Sequence, residues 1–498
     1  MKAGSDVPAP PVPVHIQLAL ISHTNNGKTT LARTLVGMDV GEVRDAAHVT
    51  IYAESHTLLA SAEGDTLRLW DTPGFGDSVR LLRRLAKAGN PIGWFLREVV
   101  DRYRDRTFWL SQNALRTAKD DADVVLYLVN SAEHPRDAGY LPAEMAILAW
   151  LGKPVVVLLN QMGPPRPAPE ELAEQARWRQ HLAQYPQVRE VLALDAFARC
   201  WVHERVFYEA LGKLLPATSE AAYARLFALW ESSNATRFAQ AMAITARQLL
   251  AAARDSEAVE PRKTSLLRSA IEAVGLRKGA DHGQDKAMAA LLARLNAQTS
   301  DATAHLLALH KLDTSEAGKI NARVRQNFAL RAPVDTAQAG LIGALISGAA
   351  TGLSADLLTG GLTLGGGALI GGVLGALTFA GAAWGFNAGT DRDHPTMTFA
   401  DDFLTSLLVA AMLRYLAVAH FGRGRGNFVE GEAPAFWQQE VERAVAQHAD
   451  AIDHAWREVR TEPDLARALA QLDHLVSGVA AHTLARLYPG VPLFNKLM

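Results

Sequence analysis

Cysteine is almost missing from this 498-residue sequence, in which Cys200 stands alone. One thiol cannot close an intrachain disulfide, so a disulfide-stapled fold is excluded and nothing asks for an oxidising compartment. Cys200 also lacks a catalytic context and is read as a structural thiol. Excess charge of either sign is absent: 50 Lys and Arg stand against 52 Asp and Glu, a formal net charge of −2. Electrostatics therefore gives no reason to expect nucleic acid or acidic lipid as the main partner. Residues 1–14 lack the apolar stretch of a secretory leader and are broken by Pro8, Pro10, Pro11 and Pro13, so a flexible tail is expected there. What is present is a globular composition, 49% hydrophobic and 20% charged, long enough for two to four domains.

His15 to Ile21 reads as a buried strand, and a helix is predicted from Thr30 onward. Segments 49–60 and 65–71 read as two strands joined around Glu63-Gly64-Asp65, a hairpin signal. Strands recur at 123–130, 154–160 and about 188–194, mostly with helices between them. That alternation predicts an α/β sheet with helices on its faces over 15–216. Residues 75–120 read as an amphipathic helical insert, either packed on the sheet or moved by the state of a ligand. Strand signals stop after about 216. Helices are predicted at 217–254, 285–312, 433–460 and 464–487, dividing the C-terminal half into helical regions 217–335 and 391–498 around a glycine-rich block.

Between the first strand and its helix lies Ser22-His23-Thr24-Asn25-Asn26-Gly27-Lys28-Thr29. It matches GxxxxGK[ST] at every fixed position except the first, where serine replaces glycine. In such a loop the main-chain N–H groups turn inward around phosphate oxygens, and the helix presents its positive end. The stretch Asn25, Asn26, Gly27 and Thr30 is expected to line the phosphates. Lys28 is expected to reach the β- and γ-phosphates, and the Thr29 hydroxyl to ligate Mg²⁺. Ser22 predicts a strained backbone or an altered loop path. A second motif, Asp71-Thr72-Pro73-Gly74, ends the strand of Leu67 to Trp70. Asp71 is expected to hold Mg²⁺ through water, and the Gly74 N–H to contact the γ-phosphate. Read alone, Pro-Gly is an ordinary turn.

Asp71-Thr72-Pro73-Gly74-Phe75-Gly76-Asp77 resembles the switch II motif of the translation-factor-related GTPases, which include septins and the Era-like bacterial GTPases. The motif likeness covers about residues 15–215. The whole chain resembles bacterial GTPases that carry a C-terminal domain of unknown function. The resemblance implies a switch I threonine on Mg²⁺, for which Thr50 is the candidate; a plain strand threonine is the other reading. It assigns the catalytic roles to Lys28, Thr50 and Gly74, and the metal to Thr29, Thr50 and Asp71.

Two departures bear on activity. Phe75 stands where Ras-like enzymes place the glutamine that orients water, which predicts slow turnover unless a partner or a potassium ion supplies the missing group. The base motif [NT]KxD is represented by Asn160-Gln161-Met162-Gly163. Asn160 matches, or else caps a strand. Gln161 can pack on the base with its alkyl stem, and Gly163 lacks the carboxylate acceptor, so GTP is expected with ATP not excluded. Asp195, at the position of the last family motif, is a candidate substitute for the lost base contact.

Residues 336–355 and 357–390 contain no charged side chain, and glycines recur every four positions, as at Gly367, Gly371 and Gly375. By length, each stretch reaches the roughly 20 residues that a spanning helix needs. Each glycine would cost a helix in water about 1 kcal/mol relative to alanine, whereas close packing in lipid favours it. A membrane hairpin over 336–390, with Asp356 near its turn, is expected; a tightly packed soluble core is the alternative. The apolar segment 403–421 contains Arg414, which makes a buried helix at least as good a reading.

The fold expected is thus a P-loop NTPase sheet with flanking helices, followed by an all-helical domain containing a glycine-rich apolar hairpin. The expected function is a slow GTPase with Mg²⁺ and GTP as ligands, in the cytoplasm at the inner membrane. The partners expected are nucleotide, membrane and either a second copy or an activating protein, with no nucleic acid. A non-hydrolysing scaffold and a nucleotide-gated membrane-perturbing protein are the competing classes.

Overall fold

The structure is a computed structural model that describes residues 12–37, 54–72, 74–75, 78–79, 82, 115, 118–163, 165–195, 200–259, 282–312, 384–386, 396–420 and 434–492. Thr50, most of the predicted insert 75–120 and all of the glycine-rich block except 384–386 lie outside the described residues. The chain divides into two units. One comprises 1–236 with 419–431 and 488–494, and the other takes 237–418, 432–487 and 495–498.

Among the described residues, the first unit is built on six strands: β1 (His15–Ser22), β2 (Glu54–Ala60), β3 (Thr66–Asp71), β4 (Val124–Asn130), β5 (Val155–Asn160) and β6 (Val188–Ala193). They lie in the order β2-β3-β1-β4-β5-β6. Only β2 runs antiparallel to its neighbour β3; the other pairings are parallel. The hairpin turn bends at Gly64, whose φ of +92° suits a residue without Cβ. Helices α1 (Lys28–Val36), α2 (Leu141–Leu151), α3 (Ala168–Leu182) and α4 (Trp201–Gly212) follow strands in the chain.

Strand periodicity of two explains why apolar runs are nearly continuous in β1, β4 and β5. Ala19, Ile21, Val125, Tyr127, Val157 and Leu159 share one face with Leu141, Met145, Leu148 and Trp178. The alternate residues Leu18, Leu20, Leu126, Leu128, Val156 and Leu158 share the other with Leu31, Leu35, Phe207 and Leu211. Both faces are covered, so neither alternate residue has reason to be polar. The sheet reverses strand order around β1, and the mouth of a doubly wound sheet lies at the carboxyl ends of strands beside such a reversal.

The second unit is mostly helical. It holds α5 from residue 237 onward (the whole helix is Glu220–Arg254), α6 (His282–Leu309), α7 (Asp401–Ala419), α8 (Ala435–Gln447), α9 (Ala449–Thr461) and α10 (Leu465–Leu487). The prediction of no strands beyond 216 is corrected by β7 (Ser256–Ala258), β8 (Trp384–Phe386) and β9 (Thr396–Phe399), an antiparallel sheet ordered β7-β9-β8. Strands of three or four residues are too short to display an alternating pattern. The single helix predicted over 433–460 is two, parted at His448. Among the described residues α7 is the one helix long and apolar enough to cross a membrane, and 78% of its apolar window is buried within the protein. Arg414 on α7 is buried and donates to the Gln248 side chain. Its Nε has no partner among the described residues, and burial pushes its guanidinium down to about 10.

Candidate nucleotide-binding site

The strand β1 ends at Ser22, and the chain then turns through His23–Gly27 into α1. Asn25 and Gly27 carry positive φ values of 67° and 84°. Asparagine tolerates that region and glycine is free in it. Gly27 is doubly constrained, because an added Cβ would lie 2.6 Å from Asn160 Nδ2. Ser22 is extended strand and shows no positive φ, so the strained backbone predicted for it is corrected. Its side chain has a role of its own: Lys28 Nζ donates to Ser22 Oγ at 3.0 Å. As the first residue of α1, Lys28 sits where main-chain N–H groups lack intrahelical partners and the helix end is positive.

Lys28 is buried. Burial pulls its ammonium below the usual lysine range, while the carboxylates of Asp71 and Glu144 act in the opposite sense. Next to it in sequence, Thr29 Oγ1 donates to Asp71 Oδ2 at 2.7 Å. A hydroxyl and a carboxylate so placed are hard oxygen donors of the kind Mg²⁺ takes, one or two from the protein and the rest from phosphate and water. The residues therefore fit a magnesium–triphosphate group. Gly74 approaches the same loop, where an added Cβ would stand 2.8 Å from Lys28 Nζ and 3.2 Å from Thr24 Cα. Phe75 N–H donates to Ser22 O at 3.0 Å and pairs in a bridge with His23, so the end of the second motif is laced to the first. The Phe75 side chain is fully buried in the core with Ile21 and Tyr127.

The loop after β5 is tied to this one. Asn160 Nδ2 donates to Asn26 O at 2.8 Å, and Gln161 Nε2 to Asn25 O at 3.3 Å. Gln161 has a φ of +57°, an uncommon conformation for a long side chain. Asp195 accepts from Met162 N–H at 2.5 Å, and Leu194 N–H donates to Leu159 O at 3.1 Å. The structure thus brings Asn25, Asn26, Gly27, Lys28, Thr29, Asp71, Gly74, Asn160, Gln161 and Asp195 to one end of the sheet. Thr30, the third residue of α1, is buried, and its carbonyl accepts from Thr34 Oγ1 at 3.0 Å.

Sequence reasoning missed the support behind the loop. Glu144 of α2 is fully buried, accepting from Tyr127 OH at 2.5 Å and lying 2.7 Å from His23 Nδ1. The His23 ring stacks on Tyr140 with centroids 4.4 Å apart, and Asn26 Nδ2 donates to Leu128 O at 3.2 Å. Burial, then the neighbouring Glu144, pushes the Tyr127 hydroxyl well up, which keeps it a donor. The available signal was Glu144 itself, a charge inside the otherwise apolar run Ala143–Leu151.

A family model described as a domain of unknown function (DUF3482) matches residues 179–477, more than half of the chain. The chain belongs to the DUF3482 family. In this member the domain follows a P-loop GTPase domain: residues 17–161 match the model described as 50S ribosome-binding GTPase. Among solved structures, Era of Aquifex aeolicus bound to GDP and AlF4⁻ aligns at 20% identity and a TM-score of 0.31, covering 41% of this chain and 57% of Era. Era in complex with MgGDPNP and a 16S ribosomal RNA segment aligns at 20% identity and a TM-score of 0.31, over 41% of this chain and 58% of that one. A bacterial selenocysteine-specific elongation factor aligns at 15% identity and a TM-score of 0.26, over 40% of this chain and 28% of the factor. The chain thus spans less than two thirds of the length of each of these proteins. No curated protein matches it.

Proposed function

We propose that this DUF3482 member binds Mg²⁺–GTP at the β1–α1 loop and hydrolyses it slowly to GDP and phosphate. The observation that carries the reading is the meeting of Lys28, Thr29, Asp71 and Gly74 on one loop, with Thr29 Oγ1 at 2.7 Å from Asp71 Oδ2. In this reading Lys28 offsets phosphate charge, Thr29 and Asp71 position the metal, and Gly74 contacts the terminal phosphate. When bound, Mg²⁺ neutralises charge on the phosphates. Thr50 remains the candidate for a further metal ligand.

Slow turnover follows from Phe75. Its side chain is committed to the core and offers no group to orient water. Enzymes that have the glutamine turn over on their own at only about 10⁻⁴ to 10⁻² s⁻¹, and this chain is expected to be no faster. The same burial favours a second reading, a nucleotide-binding scaffold without turnover. Multiple-turnover phosphate release by the purified chain decides between them. Release abolished in Lys28→Ala supports the enzyme; no release with saturable Mg²⁺–GTP binding supports the scaffold.

The reading extends to a cytoplasmic protein held at the inner membrane through 336–390, supported by two uncharged stretches of spanning length in that block. Gly371→Leu should shift the protein from the membrane to the soluble fraction; unchanged fractionation would remove this part of the proposal.

A further inference from the structure

We infer that His23, held by the buried Glu144, is a positioning residue for the terminal phosphate and acts through Gly74. The inference rests on reading the β1–α1 loop as a triphosphate site with Gly74 at its γ-phosphate end.

The main chain of His23 carries the first half of the argument. It pairs with Phe75 in a parallel bridge. Phe75 N–H also donates to Ser22 O at 3.0 Å, so the residue after Gly74 is fastened to two successive residues of the first motif. The fit at Gly74 itself is close. An added Cβ there would stand 3.2 Å from both Cα and Cγ2 of Thr24, the residue after His23. A shift of His23 therefore moves the surface on which Gly74 rests.

The ring fixes where His23 lies. Its Nδ1 is 2.7 Å from Glu144 Oε1, and Tyr127 OH donates to Glu144 Oε2 at 2.5 Å. A carboxylate only accepts, so His23 donates from Nδ1. Glu144 stands in the first turn of α2, where the positive helix end favours a carboxylate. Its side chain has no exposed surface, whereas that of His23 is 31% exposed. The pair thus ties a solvent-facing loop to the interior. Tyr140 covers one face of the ring, 4.4 Å away and 13° from parallel. With Tyr127 on β4 and Glu144 on α2, the second loop residue takes its place from the core and not from the loop. In the triphosphate reading Asn25 to Thr29 serve the phosphates that GTP and GDP share. Displacing His23 is then felt chiefly at the phosphate GDP lacks.

The test is calorimetric titration of the full chain with the Mg²⁺ complexes of GDP and of a non-hydrolysable GTP analogue, beside phosphate release from GTP. His23→Phe keeps a ring on Tyr140 and removes the Nδ1 donor. It should lose on the order of 10-fold in affinity for the analogue, little for GDP, and turnover should fall with it. His23→Asn, which gives up the ring but keeps an N–H near the Nδ1 position, should recover most of that loss. Should His23→Phe fail to fold, His23→Ala, which admits water to Glu144, is expected to show the same selective loss. Adding Gly74→Ala to either should cost less than the two separate losses combined, because residues that act through one another are not additive. Equal losses for GDP and the analogue, no loss for either, an asparagine variant as poor as the phenylalanine one, or full additivity with Gly74→Ala would each overturn the inference. If wild type binds neither nucleotide, the underlying triphosphate reading has failed instead.

Discussion

Thr29 Oγ1 donates to Asp71 Oδ2 at 2.7 Å across 42 positions of sequence. The contact joins the first turn of α1 to the carboxyl end of β3. These elements meet because β3 lies against β1 in parallel register, with Leu20 opposite Asp71.

Removing the carboxylate should therefore weaken metal use before it weakens the fold. Asp71→Asn is expected to raise the Mg²⁺ concentration needed for half-maximal nucleotide binding by about 10- to 100-fold. Nucleotide affinity measured across a Mg²⁺ series checks this. An unchanged Mg²⁺ midpoint would mean that the pair is structural.

Gly74→Ala introduces a Cβ 2.8 Å from Lys28 Nζ and 3.2 Å from Thr24 Cα. The lysine tip can move, but the Thr24 main chain cannot without disturbing the loop. If Gly74 contacts the γ-phosphate as proposed, affinity for a non-hydrolysable triphosphate should fall by on the order of 10-fold more than affinity for the diphosphate. Equal losses for the two would contradict the assignment of Gly74.

Asp65 ties three elements together, accepting from Val14 N–H, from Ser61 Oγ and from Arg225 of α5. Burial alone would raise its carboxyl; the hydrogen bonds from Val14, Arg225 and Ser61 outweigh it and hold the group below the usual carboxylate range. A carboxyl lowered in the folded state stabilises fully above its unfolded value, and that contribution is lost as pH falls through the folded one. Asp65→Asn should cost about 2 kcal/mol at neutral pH, less for the partly solvated Arg225 contact. The difference from wild type should shrink in urea melts run toward pH 3. A constant difference would show that ionisation of Asp65 plays no part.

Arg414 offers a contrasting case. It is buried on α7, bonded to Gln248, with Nε unpartnered among the described residues. Desolvation of such a charge often exceeds what its contacts return. Arg414→Met, which keeps the volume without the charge, should leave the melting temperature unchanged or raise it. A large loss would show that the guanidinium has a strong partner.

Much of this architecture was legible because β1, β4 and β5 sit between two covered faces and read as uninterrupted apolar runs. The place of Asn25 to Thr29 between β1 and α1 was legible because an apolar strand, small polar loop residues and a helix follow one another there. The support behind them was not, since the burial of Glu144 depends on Tyr127 and His23, 17 and 121 positions away. Nor was the role of the Ser22 hydroxyl, which only the folded path of Lys28 brings within reach. The small β7-β9-β8 sheet escaped because pairing between segments of three or four residues leaves no local pattern.

The most direct measurement is calorimetric titration of the full chain with GTP, in Mg²⁺ and again in EDTA, for wild type and Lys28→Ala. The account predicts saturable one-to-one binding that weakens markedly without Mg²⁺ and is lost in Lys28→Ala. Binding of the same strength in all four titrations would contradict it.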